Sequence, residues 1–388
     1  MVKSTLHQSR LFYLLKLKTM SDTSQLTMPG QLINGQKLKS AKMNALVYHG
    51  AGKKSWEEKP KPIITEPSDA IVKILKTTIC GTDLHILKGD VPEVTDGRIL
   101  GHEGVGIIEE VGTAVTDFKK GDHVLISCIT SCGKCGSCKK GMYSHCEKGG
   151  WVLGHLIDGT QAEYVRIPYA DTSLYHIPAN TDEEALVMLS DILPTAYECG
   201  VLNGQVKPGD VVVIVGAGPI GLACLITAQF YTPAEIIMVD IDDNRLEVAR
   251  TFGATQTINS NNENALEKIM TLTEQKGVDV AIEAVGIAAT FELCEAVIAA
   301  GGHIANVGVH GKAVALHLET LWSKNITITT RLVDTVTTPL LLKTVTAKKL
   351  DAAKLITHRF ALNDIISAYD TFENASKEKT LKVILTNK

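Results

Sequence analysis

The chain has 388 residues, a formal net charge of −4, 45% hydrophobic and 21% charged residues. That length suggests two domains rather than one core, and the composition is ordinary for a soluble globular protein. No basic excess points to nucleic acid as a partner, and no apolar run approaches the roughly 18 residues that span a bilayer. Nine cysteines are present, five of them within residues 128–146. An odd, bunched count is a poor disulfide framework and reads as metal chemistry in a reducing, cytoplasmic compartment.

Residues 1–42 differ from the rest. Lys3, Arg10, Lys16 and Lys18 flank a short greasy run, and a polar, Ser/Thr/Gln-rich stretch follows. The expectation is a disordered extension or an upstream start, with Met20, Met28 and Met43 in frame. A transit peptide has a single Arg in its favour, and Lys16 breaks the apolar stretch that a secretory signal needs. From residue 43 to about 190, β-branched runs at 70–75, 104–111 and 123–127 are punctuated by Gly112 and Gly121. This reads as a mainly β domain. Near residue 193 the pattern changes. Apolar strands are expected at 211–215, 236–240, 278–284, 303–309 and 326–332, with helices at 219–230, 243–252, 262–275 and 289–300 between the earlier ones. Asp242 is the expected N-cap and Gly253 the expected stop of the second helix. Strands alternating with helices imply a doubly wound parallel sheet. The chain closes on a strand-like run at 381–385.

Three motifs carry chemistry. Gly216-Ala217-Gly218-Pro219-Ile220-Gly221 follows an apolar strand and opens a helix, the context a dinucleotide fingerprint requires. Gly216 permits the tight turn, Gly218 lets a pyrophosphate approach the backbone, and Gly221 lets helix pack on strand. The free N–H groups and positive dipole of that helix end then face an anion. An acid is expected about twenty residues on, and Asp240 stands there. Next, Cys132-x2-Cys135-x2-Cys138-x7-Cys146 can wrap one tetrahedral zinc with no open position, so that metal is structural; Cys128 falls outside the spacing. The third constellation is scattered: Cys80-Gly-Thr-Asp-Leu-His85 and Gly101-His-Glu-Gly104. A Cys, a His and a carboxylate can make an open zinc site, yet spacing alone equally allows a core histidine and a buried thiol.

With these motifs in this order, the chain from about residue 43 to 388 resembles the zinc-dependent alcohol dehydrogenases of the medium-chain dehydrogenase/reductase superfamily, bacterial type. The resemblance implies an α/β fold: a mainly β, GroES-like catalytic domain over 43–192 and 334–388, and a Rossmann coenzyme domain over 193–333. It implies two zinc ions per chain and NAD. Cys80, His102 and Asp191 match the catalytic zinc ligands, and Glu103 matches a residue beside the metal that can replace its water. Asp at the third position looks like the secondary-alcohol branch, where liver-type enzymes have Cys and polyol or threonine dehydrogenases Glu. Thr82 and His85 match a proton relay, and Thr195 a residue touching the nicotinamide. Arg245 matches a basic residue near the adenosine ribose, and Lys382 one near the pyrophosphate. The strand near Val307 would support the ring, and Trp151, Leu153 and His155 fall near the family's substrate pocket.

The activity so implied is reversible oxidation of a small primary or secondary alcohol to aldehyde or ketone, without nucleic-acid or membrane partners, in a homotetramer. The alternatives are a polyol, threonine or aromatic-alcohol dehydrogenase, a non-enzymatic zinc- and NAD-binding sensor, and a zinc module using the cysteine lobe. Intact Cys80, His102, Thr82 and His85 weigh against the last two.

Overall fold

The computed structural model describes residues 41–387, so the expectations for the N-terminal extension lie outside the described residues except at Ala41 and Lys42. Lys42 opens the first strand, Lys42–Tyr48. That strand pairs antiparallel with Lys54–Pro60 and Arg98–Ile99 in a small sheet. A larger sheet lines up Ile356–Ala361, Lys382–Thr386, Ala70–Thr78, Gly104–Val111, His123–Ile126 and Leu174–His176, with Tyr164–Ile167 paired to Ala70–Thr78. The C-terminal strand therefore lies mid-sheet, between Ile356–Ala361 and Ala70–Thr78. This is the mainly β part, and the last fifty residues return to it.

A third sheet has six parallel strands in the spatial order Gln256–Asn259, Glu235–Asp240, Val211–Val215, Val278–Glu283, Ile298–Asn306, Thr327–Thr330. Numbered along the chain, that is 3-2-1-4-5-6, the order of a doubly wound dinucleotide fold. Its central strand Val211–Val215 is an unbroken apolar run because helices cover both faces. The chain order reverses beside this strand, which opens a crevice at its carboxyl end. Two clusters fill the faces. One, with Val212, Ile214, Leu222 and Met238, also takes in Val105, Leu125 and Leu186, so it continues into the β part. The other gathers Val213, Ile237, Ile269 and Ile304.

Local signals explain the helices. Asp242 accepts from the backbone N–H groups of Asn244 and Arg245, and Gly253 ends Asp243–Phe252 at φ 107°. The helix expected at 262–275 is shorter, Ala265–Leu272, because Asn264 caps it and accepts from Glu267 N. The strand expected at 303–309 runs instead from Ile298 to Asn306, and the preceding helix stops at Val297. Ile298 is already extended and pairs with Val278, after which a bulge restores register. An apolar helix tail and a buried strand cannot be told apart by periodicity.

Candidate active site and metal centres

The cysteine lobe is built by tight turns. Cys135 Sγ lies 3.5 Å from Cys138 Sγ, and Cys132 Sγ 4.0 Å from Cys138 Sγ. One atom from each of Cys132, Cys135, Cys138 and Cys146 falls within 4.8 Å of the others. Backbone N–H groups of Glu147 and Cys138 hold the Cys135 thiol down to about 6, while burial pushes Cys138 up to about 12. Four thiolates this close repel one another unless a cation neutralises them, which is what a dication would do here. The donor set fits a closed, structural metal.

The second centre draws on three segments. Cys80 sits at the start of the helix Gly81–Lys88, its N–H held by the Asp83 carboxylate at 2.9 Å. His102 follows Gly101, whose φ of 89° and close approach to Thr160 and Gln161 leave no room for a side chain. Asp191 precedes the turn Ile192–Thr195. Ser190 Oγ spans Gly104 N at 3.0 Å and Gly104 O at 3.3 Å, tying that turn to the His102 segment. Together Cys80, His102, Glu103 and Asp191 place one ligand atom each within 4.8 Å of the others. His102 Nε2 is 3.2 Å and Cys80 Sγ 3.8 Å from Asp191 Oδ2. Glu103 Oε2 is buried with no hydrogen-bond partner, an orphan that a cation would satisfy. Mixed S, N and O donors suit a zinc site that keeps a position open.

Around this centre, Thr82 Oγ1 lies 3.6 Å from Cys80 Sγ. His85 is one helical turn on, half-exposed, with Nδ1 2.9 Å from Asp90 Oδ2. Residues three apart on a helix share a face, so Thr82 and His85 lie on the same side of this helix. Thr195 Oγ1 donates to Asp191 Oδ1 at 2.6 Å. The Trp151 ring stands edge-on to His102 at 6.3 Å and stacks on His155 at 4.3 Å.

Lys382 has a partner the sequence did not foretell. Its place in the middle of the β sheet turns the side chain inward, and it is 2% exposed. Nζ donates to Glu103 Oε1 at 2.8 Å and to the Ile79 carbonyl at 3.2 Å. The ammonium is thus engaged with Glu103 at the open centre, where the expectation put it near a pyrophosphate.

At the parallel sheet, Gly216 turns at φ 107°, and a Cβ on Gly221 would lie 1.8 Å from Gly216 O, so only glycine fits there. A Cβ on Gly218 would meet only Arg245 Nη1, at 3.9 Å, so the space above this glycine is open. Pro219 and Ile220 begin the helix Pro219–Ala228 behind it. Asp240 accepts from Ala217 N at 2.6 Å, Ile241 N at 2.8 Å and Asp242 N at 2.9 Å. A carboxylate has about four lone-pair sites, so one remains for a ribose hydroxyl. Val307, just past Ile298–Asn306, packs with Cys128 and Cys199 toward the metal centre. The open glycine cradle, the acid at the strand end and Arg245 above it together fit a dinucleotide.

Comparison with known proteins decides the family. Residues 66–179 match the model of the alcohol dehydrogenase GroES-like domain, and residues 219–347 that of the zinc-binding dehydrogenases. An alcohol dehydrogenase of Cupriavidus necator is 35% identical over 374 residues, covering 89% of this chain and 99% of the relative. The chain belongs to the zinc-type alcohol dehydrogenases of the medium-chain dehydrogenase/reductase superfamily. An NADP-dependent isopropanol dehydrogenase of Thermoanaerobacter brockii is 33% identical, covering 88% of this chain and 99% of the relative. Among solved structures, the apo form of zinc dependent alcohol dehydrogenase 2 from Streptococcus pneumonia is 56% identical, with a TM-score of 0.85 over 89% of this chain and 98% of that one.

Several site residues of this dehydrogenase escape sequence reasoning. Asp83 is buried, and its Oδ1 lies 4.0 Å from His102 Nδ1, an ion-pair distance beyond hydrogen-bond reach. Gln161 anchors Asp83 at 3.0 Å and is itself held by Tyr369. Glu198 is wholly buried and accepts from Asp334 N, Thr337 N and Thr337 Oγ1, each at 2.9 Å. It pins the segment by which the chain leaves the parallel sheet. Asp334 in turn accepts from Ser144 N and Oγ of the cysteine lobe. Only Asp83 gave a signal, by lying inside the quoted Cys80–His85 motif.

Proposed function

We propose that this enzyme passes a hydride between the carbinol carbon of a small alcohol and NAD, with one zinc at the open centre and a second in the cysteine lobe. The observation that carries this reading is the meeting of Cys80, His102, Glu103 and Asp191 ligand atoms within 4.8 Å, from segments far apart in sequence. Cys80, His102 and Asp191 would hold the catalytic zinc, with Glu103 beside it. When bound, that ion supplies Lewis acidity, which lowers the pKa of a coordinated hydroxyl.

The chain's own residues do the rest. Thr82, able to accept and to donate, takes the alcohol proton and passes it outward. His85 delivers it to solvent, its ring oriented by Asp90. Thr195 and Val307 position the nicotinamide. Gly216, Gly218 and Gly221 admit the pyrophosphate, Asp240 accepts from the ribose, and Arg245 lies over the glycine turn. Trp151, standing against His102, supports a small substrate. The division of labour follows the β part and the parallel sheet: residues 43–192 and 334–388 carry catalysis, and 193–333 the coenzyme.

NAD is favoured by Asp240, since a 2′-phosphate would meet a like charge. Two unit charges about 4 Å apart interact by about 4 kcal/mol at an effective dielectric of about 20. The Thermoanaerobacter brockii relative uses NADP, so the cofactor is the sharpest point to test. Purified enzyme incubated with NAD or NADP and a panel of primary, secondary, polyhydric and aromatic alcohols, followed by absorbance of reduced cofactor, should show turnover of small alcohols with NAD. No turnover of any alcohol by protein carrying two zinc ions would overturn the proposal.

A further inference from the structure

The two oxygens of Asp191 face different neighbours. Oδ2 is the one near His102 Nε2 and Cys80 Sγ, at 3.2 and 3.8 Å. Oδ1 points away from them, accepts from Thr195 Oγ1 at 2.6 Å and lies 3.6 Å from Cys128 Sγ. Neither Thr195 nor Cys128 belongs to the four-residue ligand group. We propose that Thr195 and Cys128 are positioning residues that occupy Oδ1, so that Asp191 holds the metal through Oδ2 alone and a coordination position stays open for substrate. This rests on the reading of Asp191 as a metal ligand.

A carboxylate can grip a dication with one oxygen or with both, and the second mode uses up coordination space. Donors on one oxygen decide between the modes, because they consume the lone pairs that the second contact needs. Both donors are rigidly placed. Thr195 is one turn after Asp191, and its N–H also donates to Asp191 O at 2.8 Å. Cys128 N donates to Ser190 O at 3.1 Å, so its thiol cannot drift from the carboxylate beside it. Cys128 is buried at 2% exposure and lies outside the cysteine-lobe spacing, and this role accounts for its place beside the open centre. Thr195 thereby has a contact its expected place at the nicotinamide does not explain.

The test uses the full chain with zinc kept in the cysteine lobe and cobalt or zinc titrated into the open centre against a chelator. Thr195→Val should weaken open-centre affinity by about ten- to hundredfold, the usual range for losing an outer partner of a metal ligand. It should also shift the cobalt d–d bands toward higher coordination, and Thr195→Ser should restore both. Cys128→Ala should give a smaller change in the same direction, and Cys128→Ser should reverse it. Unchanged lobe zinc in each variant shows that the fold persists. Unaltered affinity and spectrum in Thr195→Val would overturn the proposal, as would loss of a thiolate-to-cobalt band in Cys128→Ala, which would make Cys128 a ligand. Asp191→Asn separates the two layers: if it leaves open-centre affinity intact, the ligand assignment itself fails.

Discussion

The two cysteine-bearing centres are opposites. The lobe takes all four donors from residues 132–146, inside one loop of tight turns. The open centre takes Cys80, His102, Glu103 and Asp191 from three segments, the first and last of them 111 residues apart. The first depends on local chain closure, so its metal should act on stability. The second depends on sheets and crossovers already in place, so its metal should act on turnover. A local site pays little loop entropy and organises its own loop, whereas a dispersed site needs the fold before it can exist.

The largest expected effect breaks the open centre. His102→Ala should lower kcat by at least about 10²- to 10³-fold, the cost of losing a single preorganised charge stabiliser elsewhere, with thermal stability little changed. A fall in Tm as large as the loss of activity would show that the site is structural. Chelation should reproduce the loss, and added zinc should reverse it.

Next comes the relay. His85→Ala should cost about 10²-fold in alcohol oxidation, at the low end for general acid–base help because water reaches this half-exposed position. Small added bases should restore part of the rate. A variant with the wild-type rate would remove His85 from the proton path. Cys135→Ala carries the contrast to the lobe: it should lower Tm by about 2 to 3 °C or more, as expected for losing about 2 kcal/mol in a chain of this size, while keeping turnover at low temperature. Full stability with lost turnover would reverse the assignment of the two metals.

The smallest effect concerns the cofactor. Asp240→Asn keeps one carbonyl oxygen for the backbone donors Ile241 N and Asp242 N and removes the charge. The ratio of kcat/KM for NAD over NADP should narrow by about tenfold, equivalent to about 1.4 kcal/mol. An unchanged ratio would assign selection to Arg245.

How much the sequence revealed follows from the same contrast. The cysteine lobe and the glycine turn were legible because their chemistry lies in consecutive residues with fixed offsets. A doubly wound parallel sheet was implied by alternating strands and helices, but its order 3-2-1-4-5-6 and the boundary at Ile298 were not, the latter since pairing with Val278 overrode local pattern. For the open centre, the residues alone left His102 and Cys80 as plausible core groups, and resemblance to a family supplied Asp191.

Lys382 marks where resemblance also ran short. Nothing in the run Leu381-Lys382-Val383 says that this strand sits mid-sheet, flanked on both sides, and that its lysine must turn inward to Glu103. Burying an ammonium is tolerable only against a carboxylate, so the pair exists because both partners are sealed together. By itself the sequence determined which donors were available, which turns could form and which runs would be strands. Only the tertiary structure decided which oxygen of Asp191 faces Cys80 and His102, which lysine faces Glu103, and which thiol, Cys128, stands beside the centre without joining it. The reason is physical: donor chemistry belongs to a residue, but orientation belongs to the contacts that surround it, and those come from chain segments that meet only when the fold is complete.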